Sequence, residues 1–165
     1  MHIYLLRHGI ANDAGPGVPD GDRALSEEGW KRLRRAAASW RELVQTPDAV
    51  LVSPLRRAQE TARVLAEACH FGGDLRIESA LVPEAPPQLA LNLLQAEACA
   101  ATKSIALVGH EPHLGYLLGL LLTGHPRQPI PLKKGMLVAV ETDSVASLVA
   151  GLRFALTQKA AAQLG

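Results

Sequence analysis

Ile3-Tyr4-Leu5-Leu6-Arg7-His8-Gly9 opens with a short apolar run that stops at an arginine, a histidine and a glycine. The pattern returns twice. Ala49-Val50-Leu51-Val52 runs into Ser53-Pro54-Leu55-Arg56-Arg57, and Ile105-Ala106-Leu107-Val108 runs into Gly109-His110-Glu111-Pro112. Short apolar runs bounded by polar or turn residues read as buried strands. Helical patterns separate them. Ser26 is a good N-cap for a first helix, with Glu27 and Glu28 in its positive first turn. Trp30, Leu33, Ala37, Trp40 and Val44 then recur at threes and fours as one packing face. Ser53 as cap and Pro54 at the first helical position predict a second helix through Leu55, Ala58, Ala62 and Leu65. A third is expected near Leu89–Cys99, a fourth after Pro112 with Leu114, Leu117, Leu118 and Leu121 on one side, and a short one closes the chain. Met136–Glu141, the turn Thr142-Asp143-Ser144 and Val145–Val149 predict a hairpin at the sheet edge.

Strands alternating with helices imply right-handed crossovers. The expected fold is therefore α/β: three layers, with a mainly parallel sheet, helices on both faces and an antiparallel edge hairpin. A length of 165 residues with 48% hydrophobic content predicts one domain over residues 1–165. Gly15–Asp22 and Pro83–Pro87 read as loops within it.

The formal charge is +1, with acids and bases spread along the chain, so no basic stripe suggests a nucleic-acid partner. The apolar run at Ile3–Leu6 is too short for a signal-peptide core, and no later run reaches membrane-spanning length. A soluble, cytoplasmic protein is expected. Cys69 and Cys99, thirty positions apart, suggest neither a disulfide framework nor a paired-cysteine zinc site, and both are expected to be buried thiols.

In open α/β sheets ligands bind beyond the carboxyl ends of the parallel strands. Arg7-His8, Ser53 to Arg57 and Gly109-His110 all follow predicted strands, so two imidazoles and two guanidiniums are expected to meet on one rim. A phosphate monoester carries close to two negative charges, and its transfer asks mainly for positioning and charge compensation. Arg7 and Arg57 suit that task because a guanidinium stays charged and binds phosphate oxygens through paired hydrogen bonds. Arg57 would also lie near a helix N-terminus, whose free N–H groups add to the positive field. A neutral imidazole is a nucleophile, and a second one that keeps its proton is a donor. His8 is assigned as nucleophile because Gly9 permits the close backbone approach that fixes its ring, and His110 as donor to the phosphoryl oxygens. On the residues alone the two roles could be exchanged. His110 and His113 could share a helix face as a metal pair, but no third ligand lies nearby, and no metal is expected. His2, His70 and His125 have no evident partners and read as structural or exposed.

These residues resemble the histidine phosphatase superfamily, also called phosphoglycerate-mutase-like. Its Arg-His-Gly motif falls at Arg7-His8-Gly9, its Ser-Pro-x-x-Arg-Ala-x-x-Thr-Ala motif at Ser53–Ala62, and its second histidine at His110. The short length, Arg23-Ala24-Leu25-Ser26 and Leu81-Val82-Pro83-Glu84 further resemble the SixA-type phosphohistidine phosphatase branch. The resemblance implies a covalent phosphohistidine on His8, a phosphate pocket of Arg7, Arg57 and His110, and no metal or organic cofactor. Arg56, one position off the motif, is not carried over.

Many larger members use a carboxylic acid to protonate the leaving alkoxide. Glu84 is the candidate here. Asp20 and Asp22 lie on the loop after the first strand, and Glu111 is expected to cap a helix. The short span between Arg57 and His110 leaves little room for a capping insertion, so an open pocket able to admit a protein side chain is expected. The implied substrate is a phosphorylated protein such as a histidine-containing phosphotransfer domain. The alternatives are a small phosphorylated metabolite, handled by a general phosphomonoesterase of the same fold, and a catalytically silent phosphate-binding module.

Overall fold

The computed structural model describes residues 1–125, 127–143 and 150–164. Its strands are β1 (His2–Arg7), β2 (Ala49–Val52), β3 (Leu75–Ile77), β4 (Ser104–Gly109), β5 (Leu137–Glu141) and β6 (Gly151–Leu156). The α-helices are α1 (Glu27–Leu43), α2 (Arg56–Ala68), α3 (Pro87–Cys99), α4 (His113–Thr123) and α5 (Gln158–Leu164). The strands form one sheet in the order β3-β2-β4-β1-β5-β6. The first four run parallel, and β5 and β6 add an antiparallel pair on the far edge, as the sequence predicts.

Alternation along the central strands fixes the three layers. Tyr4, Leu6, Val50, Val52, Ala106 and Val108 face a core shared with Leu33, Trp40, Ala58, Leu65 and Ala161 of α1, α2 and α5. Ile3, Leu5, Leu51, Ile105 and Leu107 face the opposite core, with Leu91 and Leu94 of α3 and Leu114, Leu117 and Leu118 of α4. Each fully buried leucine contributes about 2 kcal/mol of apolar transfer free energy. A helix-period face on each side of period-2 strands is therefore what holds the sheet in place.

Ser26 caps α1 by accepting a hydrogen bond from Gly29 N at 3.0 Å, and Leu33, Trp40 and Val44 of the expected face are buried while Trp30 and Ala37 are half-buried. Gly29 is required by close approach, since a Cβ there would lie 2.1 Å from the Ile10 carbonyl oxygen. The first turn of α1 is thus pressed against the segment that follows His8.

Locally the structure departs from several of these expectations and adds one strand. The second helix begins at Arg56, with Leu55 as N-cap, and Ser53 and Pro54 stay outside it. The Ser53 hydroxyl is held in a short turn by Leu55 N at 3.3 Å and by the ring of His110, so it does not cap the helix. β3 escapes a pattern search because it is three residues long and its Arg76 and Ile77 are exposed. The expected return strand Val145–Val149, with Ser144 of the turn, lies outside the described residues; the strand that pairs with β5 is Gly151–Leu156. The fourth helix is buried nearly all round, because residues 128–132 cross it. A Cβ on Gly119 would stand 1.8 Å from the Gln128 carbonyl oxygen, and Ile130 N donates to the Gly115 carbonyl at 2.9 Å. Cys69 is buried, but Cys99, in the last turn of α3, is exposed.

Candidate active site

β2, β4 and β1 are neighbours, and the ladder continues one residue beyond each. His8 N donates to the Gly109 carbonyl at 3.0 Å, and Ser53 N donates to the Val108 carbonyl at 3.0 Å. This register brings His8, His110 and Ser53 together at the carboxyl edge. The His8 and His110 ring centroids are 4.9 Å apart, with the planes tilted by 50°. His110 Nε2 and Ser53 Oγ are hydrogen-bonded at 2.8 Å. Ser53 therefore belongs to the site, although its residue type and position suggest a helix cap.

His8 is 8% exposed, and its Nδ1 lies 2.7 Å from the Gly9 carbonyl oxygen. A carbonyl can only accept, so Nδ1 carries the proton and the lone pair is on Nε2. Burial pushes the pKa of His8 down to about 4, opposed by the Gly9 bond and reinforced by the charges of Arg57, Arg7 and Lys134. The ring is neutral near pH 7. Gly9 has two further duties: a Cβ there would meet Leu33 Cδ1 at 2.7 Å, and its N–H donates to Thr61 Oγ1 at 3.1 Å. Thr61 in turn donates to the Arg57 carbonyl at 2.7 Å. The Thr of the motif thus pins Gly9, the neighbour of His8, to the first turns of α2.

Arg57 is 5% exposed; its Nη1 donates to the Asp20 carbonyl at 2.7 Å and its Nη2 to Asp20 Oδ2 at 2.9 Å. Arg7 Nη1 donates to the Leu132 carbonyl at 2.6 Å, while its buried Nε makes no hydrogen bond within the described residues. Glu111 Oε1 accepts the Leu132 N–H at 2.9 Å, while the N-cap position of α4 is held by Pro112, with no side-chain capping hydrogen bond. Burial raises its pKa, against the lowering influence of the Leu132 N–H and the Arg7 charge. The strap across α4 thus ends by fixing both Arg7 and Glu111.

His110 differs from the protonated donor expected of it. The ring is 1% exposed, and burial, with the His8 ring and Arg57 as further causes, pushes its pKa down to about 2. It is neutral in the free site. His113, buried with neither ring nitrogen hydrogen-bonded within the described residues, is pushed down to about 4 by burial. Among the described residues no group of three or more His, Cys, Asp or Glu side chains is placed to hold a metal ion.

Of the residues singled out in the sequence, Arg7, His8, Arg57 and His110 gather at this edge. Glu84 does not join them by any hydrogen bond or ion pair within the described residues, and it is exposed on the loop after Leu81. The residues that pattern reading passes over are Ser53, Thr61, Lys134 and the Asp20 partner of Arg57. Ser53 and Thr61 do carry a sequence signal, as the first and last polar residues of the Ser-Pro motif, whereas Lys134 and Asp20 carry none.

This edge can offer a neutral imidazole to phosphorus beside two guanidiniums. Residues 3–82 match the family model for the histidine phosphatase superfamily (branch 1). An uncharacterized protein of Picosynechococcus sp. is 32% identical over 142 residues, covering 86% of each chain. The chain belongs to the histidine phosphatase superfamily. Phosphohistidine phosphatase SixA of Escherichia coli is 28% identical over 124 residues, covering 75% of this chain and 76% of that protein. The solved structure of the protein histidine phosphatase SixA complexed with tungstate superposes with a TM-score of 0.85 at 24% identity, covering 96% of this chain and 98% of that one. This histidine phosphatase is of the SixA-type branch. Its family supports phosphatase activity on phosphorylated substrates. No helix among the described residues is long and apolar enough to cross a membrane.

Proposed function

We propose that the protein dephosphorylates phosphohistidine on a partner protein, such as a histidine-containing phosphotransfer domain, through a covalent phosphohistidine on His8. One observation carries the reading: the His8 ring is neutral, its Nδ1 is tied to Gly9, and it lies beside His110 between two arginines. In this reading Nε2 of His8 attacks phosphorus as the substrate's bond to phosphorus breaks, and water then cleaves the new P–N bond. Arg7 Nε and the N–H groups of Arg57 not held by Asp20 bind the phosphoryl oxygens. The arriving negative charge raises the proton affinity of His110, which with Ser53 then serves as the donor pair.

A phosphoramidate leaves as neutral imidazole when its other nitrogen is protonated, so it needs no strong acid. An alkyl phosphate does need one, and Glu84, the candidate, makes no hydrogen bond or ion pair to the site within the described residues. That contrast favours phosphohistidine over small phosphomonoesters. The arginines compensate the phosphoryl charge, so the reaction is expected to proceed without a metal. Cytoplasmic action fits the free thiols of Cys69 and Cys99.

The test is incubation with a radiolabelled phosphohistidine protein and with sugar phosphates, followed by alkaline quenching and mapping of label on the enzyme. Transient label at His8, turnover of the phosphoprotein and indifference to chelators are expected. Turnover of sugar phosphates alone would overturn the protein substrate, and an absolute need for added metal would overturn the mechanism.

A further inference from the structure

Glu84 makes no hydrogen bond or ion pair to the site within the described residues, whereas another carboxylate is bonded directly to Arg57. Asp20 begins a single 3-10 turn, Asp20–Asp22, on the loop between β1 and α1. Its carbonyl and its Oδ2 receive the two Nη groups of Arg57, at 2.7 and 2.9 Å, and its Oδ1 receives Arg23 Nη1 at 2.8 Å. The loop is anchored from below as well. Leu25 N donates to Glu60 Oε2 of α2 at 2.6 Å, and Arg23 Nε donates to the Asn12 carbonyl at 2.8 Å. Arg57 is almost wholly buried, but the Asp20 side chain is 60% exposed. The carboxylate therefore stands at the mouth, between the buried guanidinium and solvent. It lies close enough to His110 to favour that ring's protonated form.

Two guanidiniums hold the Asp20 pKa below the usual carboxylate value, chiefly through hydrogen bonds from Arg23 and Arg57. A carboxylate so held has no proton to give an alkoxide, which removes it as a general acid. It can only accept. We propose that Asp20 determines leaving-group specificity: fastened between Arg57 and Arg23, its carboxylate accepts the far N–H of a departing imidazole and disfavours leaving groups that depart as oxyanions. The inference rests on the phosphohistidine reading. In the step itself the substrate P–N bond breaks, with its electron pair passing to the imidazole nitrogen, as the bond from phosphorus to Nε2 of His8 forms. The proton on the far ring nitrogen stays there, hydrogen-bonded to Asp20, and the imidazole leaves neutral. A phenolate leaving along the same line would approach a fixed negative charge.

Phosphoimidazole and 4-nitrophenyl phosphate, which releases an anion without needing a proton, separate the two cases. In Asp20→Asn the ratio of kcat/KM for phosphoimidazole to that for the nitrophenyl ester should fall at least tenfold, and Asp20→Glu should recover part of it. Asparagine can still accept from Arg57, so the loop is expected to stay folded, which a melting curve checks. Equal losses on both substrates would mean that Asp20 only orients Arg57 and would overturn the inference. An unmoved ratio would do the same, as would build-up of label on His8 in Asp20→Asn, since that places the carboxylate on the water step. No label on His8 in the parent protein would overturn the underlying reading as well, whereas label with an unmoved ratio overturns the inference alone.

Discussion

The two ends of the sheet differ in how much water their polar side chains keep. At the amino ends of the strands a groove of about 750 Å³ is lined by Met1, His2, Gln45, Gln95, Cys99 and Lys103. The Cys99 thiol and the Lys103 ammonium are exposed, and each keeps its water. At the carboxyl ends His8, Arg57 and His110 are 8%, 5% and 1% exposed. Desolvated ionisable groups are costly, and a fold keeps several of them at one place when an arriving charge or a reaction offsets that cost. Loss of water from ionisable side chains, rather than the presence of a groove, is what marks the carboxyl ends as the candidate site.

That contrast can be broken in several ways. The largest effect is expected from His8→Ala, which should abolish phosphoenzyme formation; label that persists elsewhere on the chain would move the chemistry away from β1. Arg7→Ala, Arg57→Ala and His110→Ala should each lower kcat/KM by about 100- to 1000-fold, as loss of a preorganised donor to a developing anion does. A loss below threefold in any steady-state assay of one of these would remove that residue from the site.

Acid should also weaken the carboxyl end first. His8 and His113 are held near 4 and His110 near 2, below the ordinary 6.5, so the unfolded chain binds protons that the folded one refuses. The stability they allow is complete above pH 6.5 and is lost as pH falls toward 4, by up to about 1.4 kcal/mol per pH unit for each ring. Thermal melts between pH 7.5 and 4.5 should show that slope, and His113→Leu should make it shallower. A flat profile would mean that folding leaves the proton affinity of these rings unchanged. The smallest effect belongs to the amino-end groove, where Lys103→Ala or Gln95→Ala should leave kcat/KM within about twofold, in line with surface substitutions generally.

Much of the carboxyl end could be read from residues alone, because β1, β2 and β4 are apolar runs cut off by the very residues that gather there. Arg7, His8 and His110 sit at fixed offsets from strand ends, and sheet order does the rest. Asp20 could not be read that way. It meets Arg57 across thirty-seven positions through a loop with no periodicity, and its neighbours Asp13 and Asp22 look no different in sequence. Ser53 misled for a physical reason, since a hydroxyl before proline satisfies the rules of helix capping while here it serves a histidine. The strap over α4 left a fainter trace in Gly115 and Gly119, four apart on one helix face, where the absence of side chains lets a crossing backbone in. The neutrality of His110 depends on how deeply the ring is enclosed, which only packing decides.

β1 lies inside the sheet, hydrogen-bonded to β4 on one side and to β5 on the other. Amides so enclosed exchange with solvent only when large parts of the molecule open, whereas the exposed stretch Asp13–Gly17, which lies ahead of the residues tied to Arg57 and Arg23, opens at far lower cost. In deuterium exchange the backbone leading to His8 should be among the last to label and Asp13–Gly17 among the first. Motion at the tip of that loop is thereby kept apart both from Asp20 and from the strand that leads to His8.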